Sequence, residues 1–254
     1  MASPVSDLVT VTDARPIRIV RMNRPDKKNA LTASMYDAMA EAFESVNNQA
    51  EIHCVVIAGG PGAFSAGNDL QEFLQAATSG EGLGPAVIRF LHALARCQRP
   101  LVAAVQGVAV GVGTTMLLHC DHVVAGTDAR FSTPFVSLGL VPEAASSLLA
   151  PRLMGHQRAF ALLVMGRSLD VAAAHACGLV NTVVAPGDVD AEATKAAHEI
   201  AGLPVEAITA ARRLMRQTPD EVVERIDEEV GLFKQRLQST EARAAFAAFL
   251  TRKR

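Results

Sequence analysis

Only four cysteines occur, Cys54, Cys97, Cys120 and Cys177, and no two of them form a C-x-x-C pair. Three lie in apolar runs, where a free thiol acts as a small hydrophobe. This argues against a disulfide framework or a cysteine metal centre and fits a reducing compartment. Excess charge is also missing. Lys and Arg number 24 against 26 Asp and Glu, for a formal net charge of −2, so composition gives no support to nucleic-acid binding. The acids are evenly spread, and the basic cluster is Arg252-Lys253-Arg254 at the end. No apolar run approaches the ~20 residues that span a bilayer. The opening MASPVSDLVTV lacks a basic start followed by an apolar core, so no secretory signal and a cytoplasmic protein are expected. No solenoid-type repeat is visible.

What remains is ample material for a core. Of 254 residues, half are apolar and a fifth charged, a size that single α/β domains reach. Leu8 to Thr12 and Ile17 to Met22 read as short strands joined by a turn with Asp13, Arg15 and Pro16. Thr32 is a good N-cap for a helix over Ala33 to Asn48, whose Met35, Met39, Ala42, Phe43 and Val46 recur at helical spacing. Cys54 to Ala58 is a β-branched run suited to a strand covered on both faces. Gln71 to Ala77 and Ala86 to Cys97 read as helices, separated by a flexible break from Ser79 to Pro85.

The stretch Leu101 to Ser147 organises the rest. Leu101 to Val105 is a buried strand, Gly107 to Gly113 a glycine-bearing turn, Thr114 to His119 a short apolar helix, and Asp121 to Ala125 a second strand. Glycines where a helix begins allow close approach to a ligand, and the free N–H groups of a first turn favour an oxygen with negative charge. Further on, the spacing predicts helices over Ser146 to Met154, despite Pro151, and over Gln157 to Met165. Asp170 caps a helix from Val171 to Cys177, and Leu179 to Val184 is a strand. Helices over 188–200, 205–217, 219–237 and 240–250 follow. Strand–helix units and then helices imply an α/β core with a helical C-terminal part.

Three stretches in register carry a resemblance. They are Asn23-Arg24-Pro25 with Asn29-Ala30-Leu31, then Ala63-Phe64-Ser65-Ala66-Gly67-Asn68-Asp69-Leu70, then Val105 to Gly113 followed by Cys120-Asp121. Together they resemble the crotonase (enoyl-CoA hydratase/isomerase) superfamily over nearly the whole chain. The resemblance implies stacked ββα units over residues 1–187, with 188–254 as a helical oligomerisation region of the same structural unit. It also implies a homotrimer or dimer of trimers and an acyl-CoA thioester substrate. No metal and no separate cofactor is implied, coenzyme A being part of the substrate.

In that family two backbone N–H groups hold the thioester oxygen, here those of Asn68 and Val112. Such a donor is typically worth about 3 kcal/mol of barrier. Hydratases of the family use two glutamates, at positions that match Thr115 (or its neighbour Thr114) and Phe135 here, so both acids are missing. The segment Pro142-Glu143-Ala144-Ala145-Ser146-Ser147 instead resembles the Δ3,Δ2-enoyl-CoA isomerase branch of the peroxisomal type, which implies Glu143 as the single acid/base. Phe135, Leu138 and Leu140 are the candidate acyl pocket, apolar neighbours that exclude water and raise the carboxyl pKa. Lys28, Ala30, Ala66, Gly67, Asp69 and Leu70 match the CoA-facing loops, and Lys253 lies in a basic tail that meets CoA phosphates in relatives. For Asp69, capping the helix after the loop is the expected role. His119 and His122, which flank Asp121, are not read as metal ligands. The alternatives are a 2-enoyl-CoA hydratase, which would need Glu143 plus an acid that the sequence does not place, Asp69 or Glu72 serving only by an unusual fold of the loop, and a non-catalytic acyl-CoA-binding paralogue.

Overall fold

The computed structural model describes residues 7–69, 71–72, 82–216 and 218–252. Among them ten strands form two sheets: β1 (Val9–Ala14), β2 (Ile17–Met22), β3 (Cys54–Ala58), β4 (Ala63–Ser65), β5 (Leu101–Val105), β6 (Val108–Val110), β7 (His122–Gly126), β8 (Arg130–Ser132), β9 (Leu169–Asp170) and β10 (Thr182–Val184). The larger sheet has the order β1-β2-β3-β5-β7-β10 and the smaller β4-β6-β8-β9. Neighbours run parallel except in the pairs β1–β2 and β8–β9.

The helices, in chain order, are α1 (Ala33–Ser45), α2 (Pro85–Arg96), α3 (Val112–Thr115), α4 (Ser146–Met154), α5 (His156–Leu163), α6 (Val171–Ala176), α7 (Val189–Ala201), α8 (Val205–Met215), α9 (Pro219–Leu237) and α10 (Thr240–Arg252). The chain steps between the sheets. β3, β5 and β7 adjoin in the larger sheet, β4, β6 and β8 in the smaller one, and α2, α3 and α4 follow the three pairs. This is an α/β fold of repeated ββα units with a helical C-terminal part, as the resemblance implied.

The alternation of strand side chains sorts the core into two layers. Val55, Ile57, Leu101, Ala103 and Val105 face the main core with α1 and α2, where Tyr36 and Phe90 pack with ring centroids 5.2 Å apart. Cys54, Val56, Ala58, Val102, Ala104 and Val124 face the other way. There Val189, Ala193, Ala197 and Ala201, four residues apart along one stripe of α7, cover them. The continuous apolar runs of β3 and β5 are thus covered on both faces, as a parallel sheet requires. No helix of the described residues is long and apolar enough to cross a membrane.

Several expectations change at short elements. The stretch Gly107 to Gly113 is not one turn: it holds β6, paired with β4 and β8. Three residues are too few to show a period in the sequence. Gly107 makes the step between sheets at φ +62°, where a Cβ would lie 2.0 Å from the Gly62 carbonyl oxygen. The helix that follows begins at Val112 rather than Thr114 and continues as a 3-10 turn over Met116–His119. The break from Ser79 to Pro85 is anchored where it is described, because Leu83 is buried in the main core and Pro85 opens α2. Of the helix expected from Gln71 to Ala77, only Gln71 and Glu72 are described, and both are helical.

Candidate active site

The first wall of the site is the loop from Arg24 to Leu31. Lys28 and Asn29 both adopt left-handed backbone, φ 51° and 53°, and the Asn29 side chain offsets that strain. Its Oδ1 accepts the Arg24 N–H, and its amide donates to the Ala63 and Phe64 carbonyls at 3.0 and 3.1 Å. The loop is stitched to the stretch after β4 by three backbone bonds: Ala66 N–H to Lys28 O, Leu31 N–H to Gly67 O, and Asp69 N–H to Leu31 O. Gly67 sits at φ +84°, and a Cβ there would lie 2.8 Å from the Val110 carbonyl oxygen. Only a glycine lets the Asn68 segment press against the end of β6 in this way.

Asp69 is a structural carboxylate. It pairs with Arg24 at 2.7 Å and accepts the Gln71 and Glu72 N–H groups, which fulfils the expected capping role. Burial opposes its ionisation, but the Arg24 guanidinium and those two N–H groups prevail and hold it below the usual carboxylate range. Glu72 is engaged too, accepting the Ala33 N–H at 2.7 Å. The Asn68 side chain accepts from the Tyr36 hydroxyl at 2.5 Å. Neither the Asn68 nor the Val112 N–H donates to another described residue; Val112 is the first residue of α3, where an intrahelical acceptor is lacking by geometry.

Glu143 is not a solvated loop carboxylate: it is 1% exposed. Thr115 Oγ1 donates to its Oε1 at 2.5 Å. Burial is the main reason its pKa rises to about 8; the Thr115 hydroxyl works against the rise and the nearby Glu229 carboxylate adds to it. The turn that carries Glu143 has two successive left-handed alanines, Ala144 at φ 61° and Ala145 at φ 53°. The His119 ring, kept neutral by burial with its pKa lowered to about 4, bonds the Ala144 carbonyl at 2.8 Å through Nε2. Glu229 of α9 accepts the Ala145 N–H at 2.6 Å, the Ser147 N–H at 3.0 Å and the Ser147 hydroxyl at 2.5 Å.

A cleft of about 680 Å³ collects most of the residues singled out from the sequence. Lys28, Ala30, Ala66, Gly67, Asn68 and Asp69 line one part, and Phe135, Leu138 and Leu140 another, so the two groups share one space. Phe233 of α9 and Phe246 of α10 close it. A second cavity of about 570 Å³ shares Asn68 and Asp69 with the first and is lined by Leu31, Tyr36, Leu83, Ala86 and Arg89 among others. Glu143 and Val112 are buried and do not line the cleft; Gly111 and Leu140 are the lining residues nearest to them in the chain. Leu70 and Lys253 lie outside the described residues. Among the described residues no group of three His, Cys, Asp or Glu side chains is placed to hold a metal ion.

Sequence reasoning missed Tyr36, His119 and Glu229, and treated Thr115 only as an absent acid. Tyr36 and Glu229 left a faint signal. Tyr36 is the sole tyrosine, and Glu229 falls on the apolar stripe of its helix, between Ile226 and Phe233.

Comparison with known proteins bears on the family of the chain. The family model described as enoyl-CoA hydratase/isomerase matches residues 13–254. Enoyl-CoA delta isomerase 2 of Rattus norvegicus is 34% identical over 250 residues, which is 96% of this chain and 64% of the rat protein. The chain therefore spans just under two thirds of that relative's length. Enoyl-CoA hydratase EchA19 of Mycobacterium tuberculosis is 33% identical over 221 residues, 84% of this chain and 83% of that one. The crystal structure of an enoyl-CoA hydratase/isomerase from Pseudoalteromonas atlantica T6c superposes with a TM-score of 0.91 at 39% identity, covering 97% of this chain and 98% of its own. With the ββα repeat, the glycine-dependent contact of the two loops and the matched motifs in place, the chain belongs to the enoyl-CoA hydratase/isomerase family.

Proposed function

We propose that this protein moves the double bond of a 3-enoyl-CoA thioester to C2, with Glu143 as the proton shuttle. The ionised Glu143 takes a proton from C2, and the electron pair is delocalised as a dienolate onto the thioester oxygen. The Asn68 and Val112 N–H groups stabilise that oxygen. The carboxylic acid so formed returns its proton at C4. The reaction is balanced within substrate and side chain and consumes no further reagent. The acyl group would reach Glu143 past Gly111 and Leu140, where the apolar wall excludes water.

The observation that carries this reading is the buried Glu143–Thr115 pair. Hydration needs one group to activate water and another to supply the α proton. By the resemblance, Thr115 and Phe135 stand at the positions of those acids, and the Thr115 hydroxyl is committed to Glu143. The acids that would have to replace them, Asp69 and Glu72, are held by Arg24 and by the backbone of α1. A single base suffices for isomerisation.

A paired assay tests the reading. One arm supplies 3-hexenoyl-CoA and follows the conjugated product by ultraviolet absorbance; the other supplies 2-hexenoyl-CoA and follows its loss. Turnover is expected in the first arm, falling by roughly 10²–10⁴-fold in Glu143→Gln while CoA-thioester binding persists. Dominant loss of the 2-enoyl substrate would assign a hydratase. Silence in both arms, with thioester still bound, would assign a binding protein.

A further inference from the structure

The turn that carries Glu143 is secured from far away in the chain. Helix α4 has no side-chain cap of its own: its N-cap residue is Ala145, in left-handed backbone. The missing acceptor comes instead from Glu229 on α9, whose two oxygens take the Ala145 N–H, the Ser147 N–H and the Ser147 hydroxyl. Glu229 is 4% exposed, and three donors converging on two oxygens fit a carboxylate rather than a carboxylic acid. Two left-handed alanines cost free energy that nearby contacts must offset; Glu229 and His119 supply the side-chain bonds that reach them, beside the Leu148 and Leu149 N–H groups that the Ala145 carbonyl accepts.

We infer that Glu229 is a positioning residue for Glu143: it clamps the Ala144–Ala145 turn from the C-terminal helices and places a second negative charge near the proton-shuttling carboxyl. This rests on the reading of Glu143 given above. Two carboxylates in one buried region disfavour each other's ionisation; burial is the main reason the Glu143 pKa rises and the Glu229 charge adds to it, while the Glu229 pKa is raised by its own burial. The other titratable groups around them are few. Tyr36 faces Glu143 from α1 and is fully buried and protonated. Neutral His119 contacts the neighbouring Ala144 carbonyl. Arg225, on the same helix as Glu229, favours its ionised form and reaches Ser147 Oγ at 3.4 Å. The clamp therefore sets both where the Glu143 carboxyl points and the pH at which it accepts a proton.

The test is the pH profile of kcat/KM with 3-hexenoyl-CoA for the wild type, Glu229→Gln and Ser147→Ala, with Glu143→Gln as reference. The wild-type limb is expected to rise through about pH 8. Glu229→Gln removes the charge and turns one acceptor into a donor. Its kcat is expected to fall at least about tenfold with KM within about threefold, and its limb to move down by roughly half a unit or more. Ser147→Ala keeps both carboxylates but takes one donor from Glu229. Its limb is expected to stay or move up, and its kcat to fall less; it carries the test if Glu229→Gln does not fold. Wild-type kcat and limb in Glu229→Gln would overturn the inference, as would rate loss with an unmoved limb, which marks a scaffold role alone. If Glu229→Gln does not fold, wild-type kcat in Ser147→Ala overturns it. Full turnover in Glu143→Gln would instead overturn the proton-shuttle reading, so the two failures are distinct.

Discussion

At the scale of a single residue, the burial of Glu143 costs stability, and the cost has a sign that can be worked out. Its pKa is about 8 in the folded chain against the ordinary carboxylate value of 4.5. Between those values the unfolded chain has released a proton that the folded chain retains, so folding stability falls as pH rises through this window. The full cost, reached above pH 8, is on the order of 3–5 kcal/mol. Glu143→Gln is isosteric with the protonated acid and still accepts from Thr115, so it escapes this cost. It is expected to melt higher than the wild type, by little near pH 5 and by several degrees at pH 8. Melting curves of both proteins at the two pH values check this; a gap that does not widen with pH would show Glu143 ionised in the folded state. The role proposed for Glu143 rests, in the sequence, only on the register of the surrounding motifs. Its acidity was not legible there, because Thr115 lies 28 residues before it and Glu229 86 residues after it, and burial is a property of the assembled core.

At the scale of an element, what could be read was whatever had enough length to show a period. β2, β3, β5 and α4 stand where the sequence put them, to the residue. β4, β6 and β8 have three residues each and escaped notice, yet with β9 they build the smaller sheet and bring Gly67 against the Val110 carbonyl. Glycines in the connecting turns were legible as signals for close approach but not for what they approach. Gly107 is the sharpest case, since a Cβ would overlap the Gly62 carbonyl between β3 and β4. Gly107→Ala combines that clash with a left-handed φ and is expected to cost upwards of about 2 kcal/mol. Denaturant unfolding should show a lowered midpoint. Gly187→Ala, where a Cβ meets nothing within 4 Å, is the control and should change little.

At the scale of the whole molecule, the C-terminal helices do two jobs that the sequence ran together. α7 belongs to the sheet, and α9 belongs to the site through Phe233 and Glu229. α8 does neither. None of its residues is buried, and its last two, Leu214 and Met215, are 83% and 84% exposed, with Leu203 at 56% just before it. Three large apolar side chains left in water at the two ends of one helix are the feature on which a covering surface is proposed. A second copy of the chain is the partner that this reading favours, and a trimer or a dimer of trimers is the assembly proposed, because a closed ring leaves no such face open. Light scattering should then give three or six times the 26.8 kDa of one chain. The double substitution Leu214→Lys, Met215→Lys buries two charges in any such contact and should shift the protein to smaller species. It should also leave the far-ultraviolet spectrum intact, since neither side chain supports the core. A wild type of single-chain mass would overturn the proposed assembly and leave α8 to a different partner; a double variant that assembles as before would place the interface elsewhere.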